Sequence, residues 1–143
     1  MKNKILLLIV FTAIICVYAF SCSDTIIYPE GEHLIIYGDT LSIPYEGFVE
    51  DAENNLKISF NDVLEDSRCP INLMCFWEGN ARIQLSYELG DQKKIFNLNT
   101  YSGFTQDTTI NNYNIGLIEV VPYPIHGVKF LYKDYFIKIV IKK

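Results

Sequence analysis

The sequence predicts an all-β fold, an antiparallel β-sandwich or open barrel of about 7–8 strands with one disulfide-stapled loop. Three observations lead there. Apolar and polar residues alternate with period two along most of the chain after residue 32. Asn, Gly, Asp and Pro punctuate those runs at short intervals. No window of ten or more residues beyond the N-terminal segment sustains the 3.6-residue period of a helix.

Leu56, Ile58 and Phe60 alternate with Lys57, Ser59 and Asn61, one half-buried strand. Ile83, Leu85, Tyr87 and Leu89 alternate with Arg82, Gln84, Ser86 and Glu88, a second. Gly90-Asp91 supplies turn chemistry, and Lys94 to Asn99 returns with Phe96 and Leu98 inward, the best hairpin in the chain. Asn111-Asn112 precedes a strand from Tyr113 to Val121, which Pro122 and Pro124 end because proline donates nothing to a ladder. A closing strand, Tyr135–Ile141, sets Tyr135, Ile137, Ile139 and Ile141 against Lys138 and Lys142. His33–Tyr37, Thr40–Ile43 and Gly47–Glu50 are shorter candidates, and Asn61–Glu65 reads as one helical turn capped by Asn61.

The N-terminus has a different character. Lys2 and Lys4 precede a run of 16 residues, Ile5 to Phe20, interrupted only by Thr12. A membrane span needs about 20 apolar residues, so the run fits a secretory leader better. Ala19 and Ser21 place small residues at −3 and −1 from Cys22, the layout of a lipoprotein signal whose cysteine becomes the acylated first residue. Soluble secretion and an uncleaved anchor are the alternatives. Residues 1–21 are thus expected to leave as a signal peptide, 22–32 to form the lipidated cysteine and a tether, and 33–143 to make one domain. About ten flexible residues span on the order of 17 Å, enough to lift that domain off the headgroups.

Cysteine arithmetic agrees. Cys16 departs with the leader and Cys22 takes acyl chains, which leaves Cys69 and Cys75 to pair in an exported chain. They lack the Cys-x-x-Cys spacing of a redox pair and have no neighbouring His for zinc. Removing residues 1–21 leaves 10 basic and 17 acidic side chains, net −7. That balance argues against nucleic acid as a partner and against adsorption to anionic headgroups.

The densest stretch is Asp66–Gly79, which holds two cysteines, the only Trp, and Asp66, Arg68 and Glu78 within fourteen residues. Asp66, Ser67, Arg68, Cys69, Pro70, Cys75, Trp77, Gly79 and Ala81 follow the pattern Asp-Ser-Arg-Cys-Pro, four variable residues, Cys-x-Trp-x-Gly, then a small residue opening a strand. Pro122-Tyr123-Pro124 and Asp134-Tyr135 follow later in the chain. In these features the chain resembles a family of small bacterial envelope lipoproteins that share the DSRCPxxxxCxWxG motif. The resemblance covers essentially the whole mature domain, implies a lipid anchor, and carries no catalytic residues over.

Each residue of the motif has two readings. Asp66, Arg68 and Glu78 are candidates for a recognition site, the guanidinium offering a planar fork to a partner. Their structural alternative is that Arg68 bridges Asp66 or Glu78 and pins the loop to the strand at Ala81. Trp77 is either a binding anchor or, as the commoner role, packed across the disulfide. In the second case Phe76 points the other way, and Met74 and Phe76 become the sticky surface. Gly79 is expected to supply a positive φ.

Other constellations are thin. His33 and His126 lack liganding neighbours, and Asn61, Asp62, Glu65 and Asp66 lack the ordering of a calcium loop. Ser67 sits outside any nucleophile elbow. No cofactor or metal is expected. The expected function is a lipid-anchored, non-enzymatic binding or accessory module of the bacterial cell envelope, with the outer membrane as its expected location. It would present the loops Ser67–Trp77 and Gly103–Asn114 to an envelope protein or glycan. An inhibitor of an extracellular enzyme is the runner-up, and a small glycan-active enzyme the third reading.

Overall fold

The computed structural model describes Leu34–Lys143. The expected leader 1–21 with Cys16, the acylated Cys22, the tether 22–32 and His33 lie outside the described residues. Eight strands follow in order: β1 (Thr40–Pro44), β2 (Phe48–Asp51), β3 (Leu56–Asp66), β4 (Ala81–Leu89), β5 (Gln92–Asn99), β6 (Asp107–Ile110), β7 (Tyr113–Val121) and β8 (Phe136–Lys142). They form two antiparallel four-stranded sheets, β1-β8-β7-β6 and β2-β3-β4-β5, which do not close into a barrel. The only helical piece among the described residues is a 3₁₀ turn at Tyr132–Asp134.

The alternation read from the sequence is what builds the core. Ile58, Phe60, Ile83, Leu85, Tyr87 and Leu98 from one sheet meet Ile43, Ile115, Ile137, Ile139 and Ile141 from the other in a single buried cluster. Fully burying one such side chain contributes about 1.5–3 kcal/mol, so this period-two pattern supplies the main drive for folding.

Three departures from the sequence expectations have physical causes. Asn61–Glu65 is not a helical turn, because β3 runs through it with register shifts at Phe60/Asp62 and Val63/Glu65. A bulge adds a residue to one strand, so Phe60 and Val63 both reach the core at a spacing of three, which imitates a helical interval. Gly103–Asn114 is not one loop. Its middle forms β6, a short edge strand, and Asn111-Asn112 turns at the opposite end of the sandwich with both φ positive. The candidate strand His33–Tyr37 reduces to a single parallel bridge between Leu34 and Glu50.

Strand register sorts the connections. The segments 67–80, 100–106 and 122–135 all leave from the end where Asp66 pairs with Ala81, Arg82 with Asn99 and Val121 with Phe136. The tight turns Leu89–Gln92 and Ile110–Tyr113 close the other end. The sandwich therefore has one loop-rich pole and one plain pole.

Candidate functional site at the loop pole

Past Asp66 the chain continues as a narrowed hairpin. Ser67 N–H donates to the Asn80 carbonyl (2.7 Å) and Cys69 N–H to the Glu78 carbonyl (2.8 Å). Gly79 sits at φ 77°, and a Cβ there would collide with the Ser67 carbonyl oxygen, so the crossing requires glycine. The Cys69–Cys75 disulfide then closes the tip, with Cα atoms 5.9 Å apart.

Asn80 ties this hairpin to its neighbour. Its buried side chain donates to Asn99 Oδ1 (3.0 Å) and accepts from the backbone N–H groups of Thr100 (3.2 Å) and Tyr101 (3.1 Å). A second tie runs to 122–135. Ile71 N–H donates to the Pro124 carbonyl (3.0 Å), and His126 N–H donates to Asn72 Oδ1 (2.8 Å). His126 is thereby placed as an exposed loop residue whose backbone does the work.

Arg68 is the mechanical centre of the pole, only 5 % exposed. Its Nε and Nη2 grip the two carboxylate oxygens of Asp66 at 2.8 and 2.7 Å. Nη1 donates to the Val120 carbonyl and Nη2 to the Pro122 carbonyl, the latter at 2.8 Å. The guanidinium also lies 4.7 Å from the Tyr123 ring centre. Tyr135 Oη completes the cluster by donating to Asp66 Oδ2 (3.2 Å), and burial together with the Asp66 charge pushes this phenol above its ordinary value. Arg68 thus joins the end of β3 to the end of β7 in the other sheet. Of its two expected partners it takes Asp66; Glu78 is exposed and contributes its backbone carbonyl, and the pinned strand is β7 rather than the one opening at Ala81.

Beyond this clamp the hairpin tip, Cys69–Trp77, carries no charged side chain and is mostly apolar. Met74 and Phe76 are 103 and 107 % exposed, projecting clear of everything around them. Ile71 and Leu73 are exposed beside them. Trp77 is 51 % exposed rather than buried across the cystine. Its ring meets Tyr101 edge-on at 5.6 Å, and Tyr101 meets Phe104 at 5.5 Å. A seven-residue tip outside the sandwich has no interior face to receive an indole, so the ring lies on the neighbouring loop instead.

Two depressions flank the tip. One, of about 460 Å³, is lined by residues including Glu65, Asp66, Lys129, Tyr132 and Tyr135. The other, of about 180 Å³, includes Arg68, Glu78, Thr100, Glu119 and Tyr123. The first holds two adjacent carboxylates, but Asp66 is occupied by the Arg68 fork and Glu65 accepts from Ser67 Oγ (3.2 Å). Asp62 turns elsewhere, accepting from Tyr45 Oη at 3.5 Å, so Asp62, Glu65 and Asp66 do not converge on a common point. Among the described residues no group of three or more His, Cys, Asp or Glu side chains is arranged to hold a metal ion.

The structure therefore brings Asp66, Arg68, Met74, Phe76, Trp77 and Glu78 to one pole, and divides them into a buried clamp and an exposed tip. Sequence reasoning misses Asn80, Asn72, Tyr101 and Tyr123, whose partners are distant in the chain. The Pro122-Tyr123-Pro124 run reads in the sequence as a strand terminator and as a feature of the family resemblance; in the structure the Pro122 and Pro124 carbonyl groups are what the loop bonds to. No protein-family model, curated protein or solved structure matches this chain, so its functional reading stands on the geometry of this pole.

Proposed function

We propose that the chain is a lipid-anchored, non-enzymatic binding module of the bacterial cell envelope, held by acylated Cys22 and offering its loop pole to an envelope protein or glycan. The observation that carries the reading is the polarity of the sandwich. Of the fifteen large hydrophobic side chains exposed among the described residues, ten lie in the three connections at one end. Monomeric domains seldom gather exposed apolar surface in one place without a partner for it. The disulfide, the Asn80 bonds and the Arg68 clamp hold that surface in one shape, which lowers the ordering cost of binding.

Membrane fractionation of cells expressing the intact chain and Cys22→Ser tests the anchor. The intact chain should sediment with membranes and incorporate a labelled fatty acid, and the variant should do neither. Label-free, soluble protein from the intact gene would defeat the proposal. A convex, disulfide-stiffened tip also suits insertion into an enzyme's cleft, so an inhibitor of an extracellular enzyme is the second reading. Secreted proteases and lysozymes assayed with the domain in excess separate the two; unchanged rates throughout leave the binding module.

A further inference from the structure

The two most exposed side chains of the pole do not line a groove; they stand out from a convex tip. From Cys69 to Trp77 there is no charged side chain. Trp77 stands at the base of that stretch, and Tyr123 is exposed on the connection that bonds to Ile71 and Asn72. An uncharged apolar point with Trp and Tyr at its margin is the arrangement that partitions into a bilayer interface. A protein pocket would have to match the shape of each projecting side chain, whereas acyl chains and headgroups conform to any shape.

We infer that the stapled tip, chiefly Ile71, Leu73, Met74 and Phe76, seats in the interfacial layer of the same membrane that carries the Cys22 anchor. The inference rests on the lipid-anchor reading and adds to it a second membrane contact and a fixed orientation. Leu34 lies beside Glu50, which pairs with Lys57; nine strand residues from Lys57 to Asp66 cover about 30 Å, and the narrowed hairpin to Cys69 adds about 10 Å. The twelve residues from Cys22 to Leu34 extend at most about 40 Å, so anchor and tip reach one surface with the sandwich inclined to the membrane rather than upright. A contact too weak to recruit the free domain becomes well populated once the tether confines it to the surface. The net charge of −7 on residues 22–143 makes zwitterionic lipid the favoured surface. The flank of Tyr101 and Phe104 and the two depressions then remain for a protein or glycan approaching along the membrane.

Trp77 is the chain's only tryptophan and sits at the base of the tip, so its emission reports on the contact directly. The probe is vesicles of phosphatidylethanolamine and phosphatidylcholine bearing the acylated mature chain, with Cys22→Ser in solution as reference. Anchored protein should show blue-shifted Trp77 emission, quenching by lipids with brominated chains, and at least threefold weaker quenching by aqueous iodide. Met74→Asp with Phe76→Asp should return all three signals to the reference, and because both side chains are fully exposed the fold should survive, as circular dichroism would show. Replacing a third of the lipid with phosphatidylglycerol should weaken the shift.

Identical emission from anchored and free chains would overturn the inference, as would a blue shift that survives the double substitution. A photoreactive phenylalanine analogue at position 76 should crosslink to lipid; adducts only to another protein, or only to a second copy of this chain, would also overturn it. If Cys22 proves unacylated, the anchor reading fails separately. The mature chain coupled through its Cys22 thiol to a maleimide-bearing lipid in the same vesicles then decides the tip alone, absence of any shift counting against it.

Discussion

Replacing Arg68 with Ala tests whether the buried clamp holds the pole together. The substitution leaves the Asp66 carboxylate, with a side chain 10 % exposed, without its counter-ion. It also leaves the Val120 and Pro122 carbonyls without their guanidinium donor. Removing one partner of a buried ion pair costs about 3–5 kcal/mol, because the other charge stays desolvated. A buried acceptor that loses its donor costs about 1–3 kcal/mol by itself, so the upper half of the first range applies unless water enters. For a domain of this size about 4 °C of melting temperature accompanies each kcal/mol, giving a fall of about 16–20 °C. Urea denaturation of Arg68→Ala, Asp66→Asn and the double variant supplies the cycle. The double variant should be at least about 2 kcal/mol more stable than the summed single effects require, since neutralising Asp66 removes the stranded charge. A single-variant loss below about 1 kcal/mol, or strict additivity, would refute the assignment of Arg68 as an inter-sheet lock.

Three further outcomes are expected. Cys69→Ser with Cys75→Ser should cost about 2.4 kcal/mol by loop-closure entropy, read from the shift in urea midpoint; reduction of the native chain should raise its mass by about 2 Da, and an unchanged mass would rule out the bond. Gly79→Ala should destabilise by about 3 kcal/mol or more, because the residue at φ 77° has the Ser67 carbonyl where a methyl would go; a wild-type melting temperature would show that the crossing can relax. At the plain pole, the Tyr37 hydroxyl (2.6 Å) and then the Asn54 donors hold the Asp51 carboxyl below its ordinary value, with burial opposing them. Its contribution to stability is therefore complete above the unfolded carboxyl value, near pH 4, and is lost as pH falls through the lower folded value. Tyr37→Phe should flatten that acid-side loss in denaturation midpoints measured from about pH 5 to 2, and an unchanged profile would remove Tyr37 as its cause.

Much of the fold was legible because the core is built by local alternation. Ile83, Leu85 and Tyr87, or Ile137, Ile139 and Ile141, show their buried face in any short window. Legibility failed where a bulge broke the period. Phe60 and Val63 share a face only because an extra residue is accommodated opposite β4, and β7 shifts in the same way between Leu117 and Glu119. β6 escaped notice because its four residues, Asp107–Ile110, are too few to show a period.

At the candidate site, the sequence by itself determined the ingredients: a cystine pair six residues apart, a glycine that the crossing demands, an uncharged stretch between them, and an Asp-Ser-Arg turn able to form a two-residue fork. Only the tertiary structure decided which of these became interior and which surface. Arg68 turns inward because the carbonyl groups of Val120 and Pro122, more than fifty residues away, end beside it and need a donor. Trp77, for which packing across the cystine is the commoner of two expected roles, ends half exposed on Tyr101 because the tip projects beyond both sheets. Burial depends on what the rest of the chain brings alongside, and long-range sheet packing brings neighbours that no local window of sequence contains.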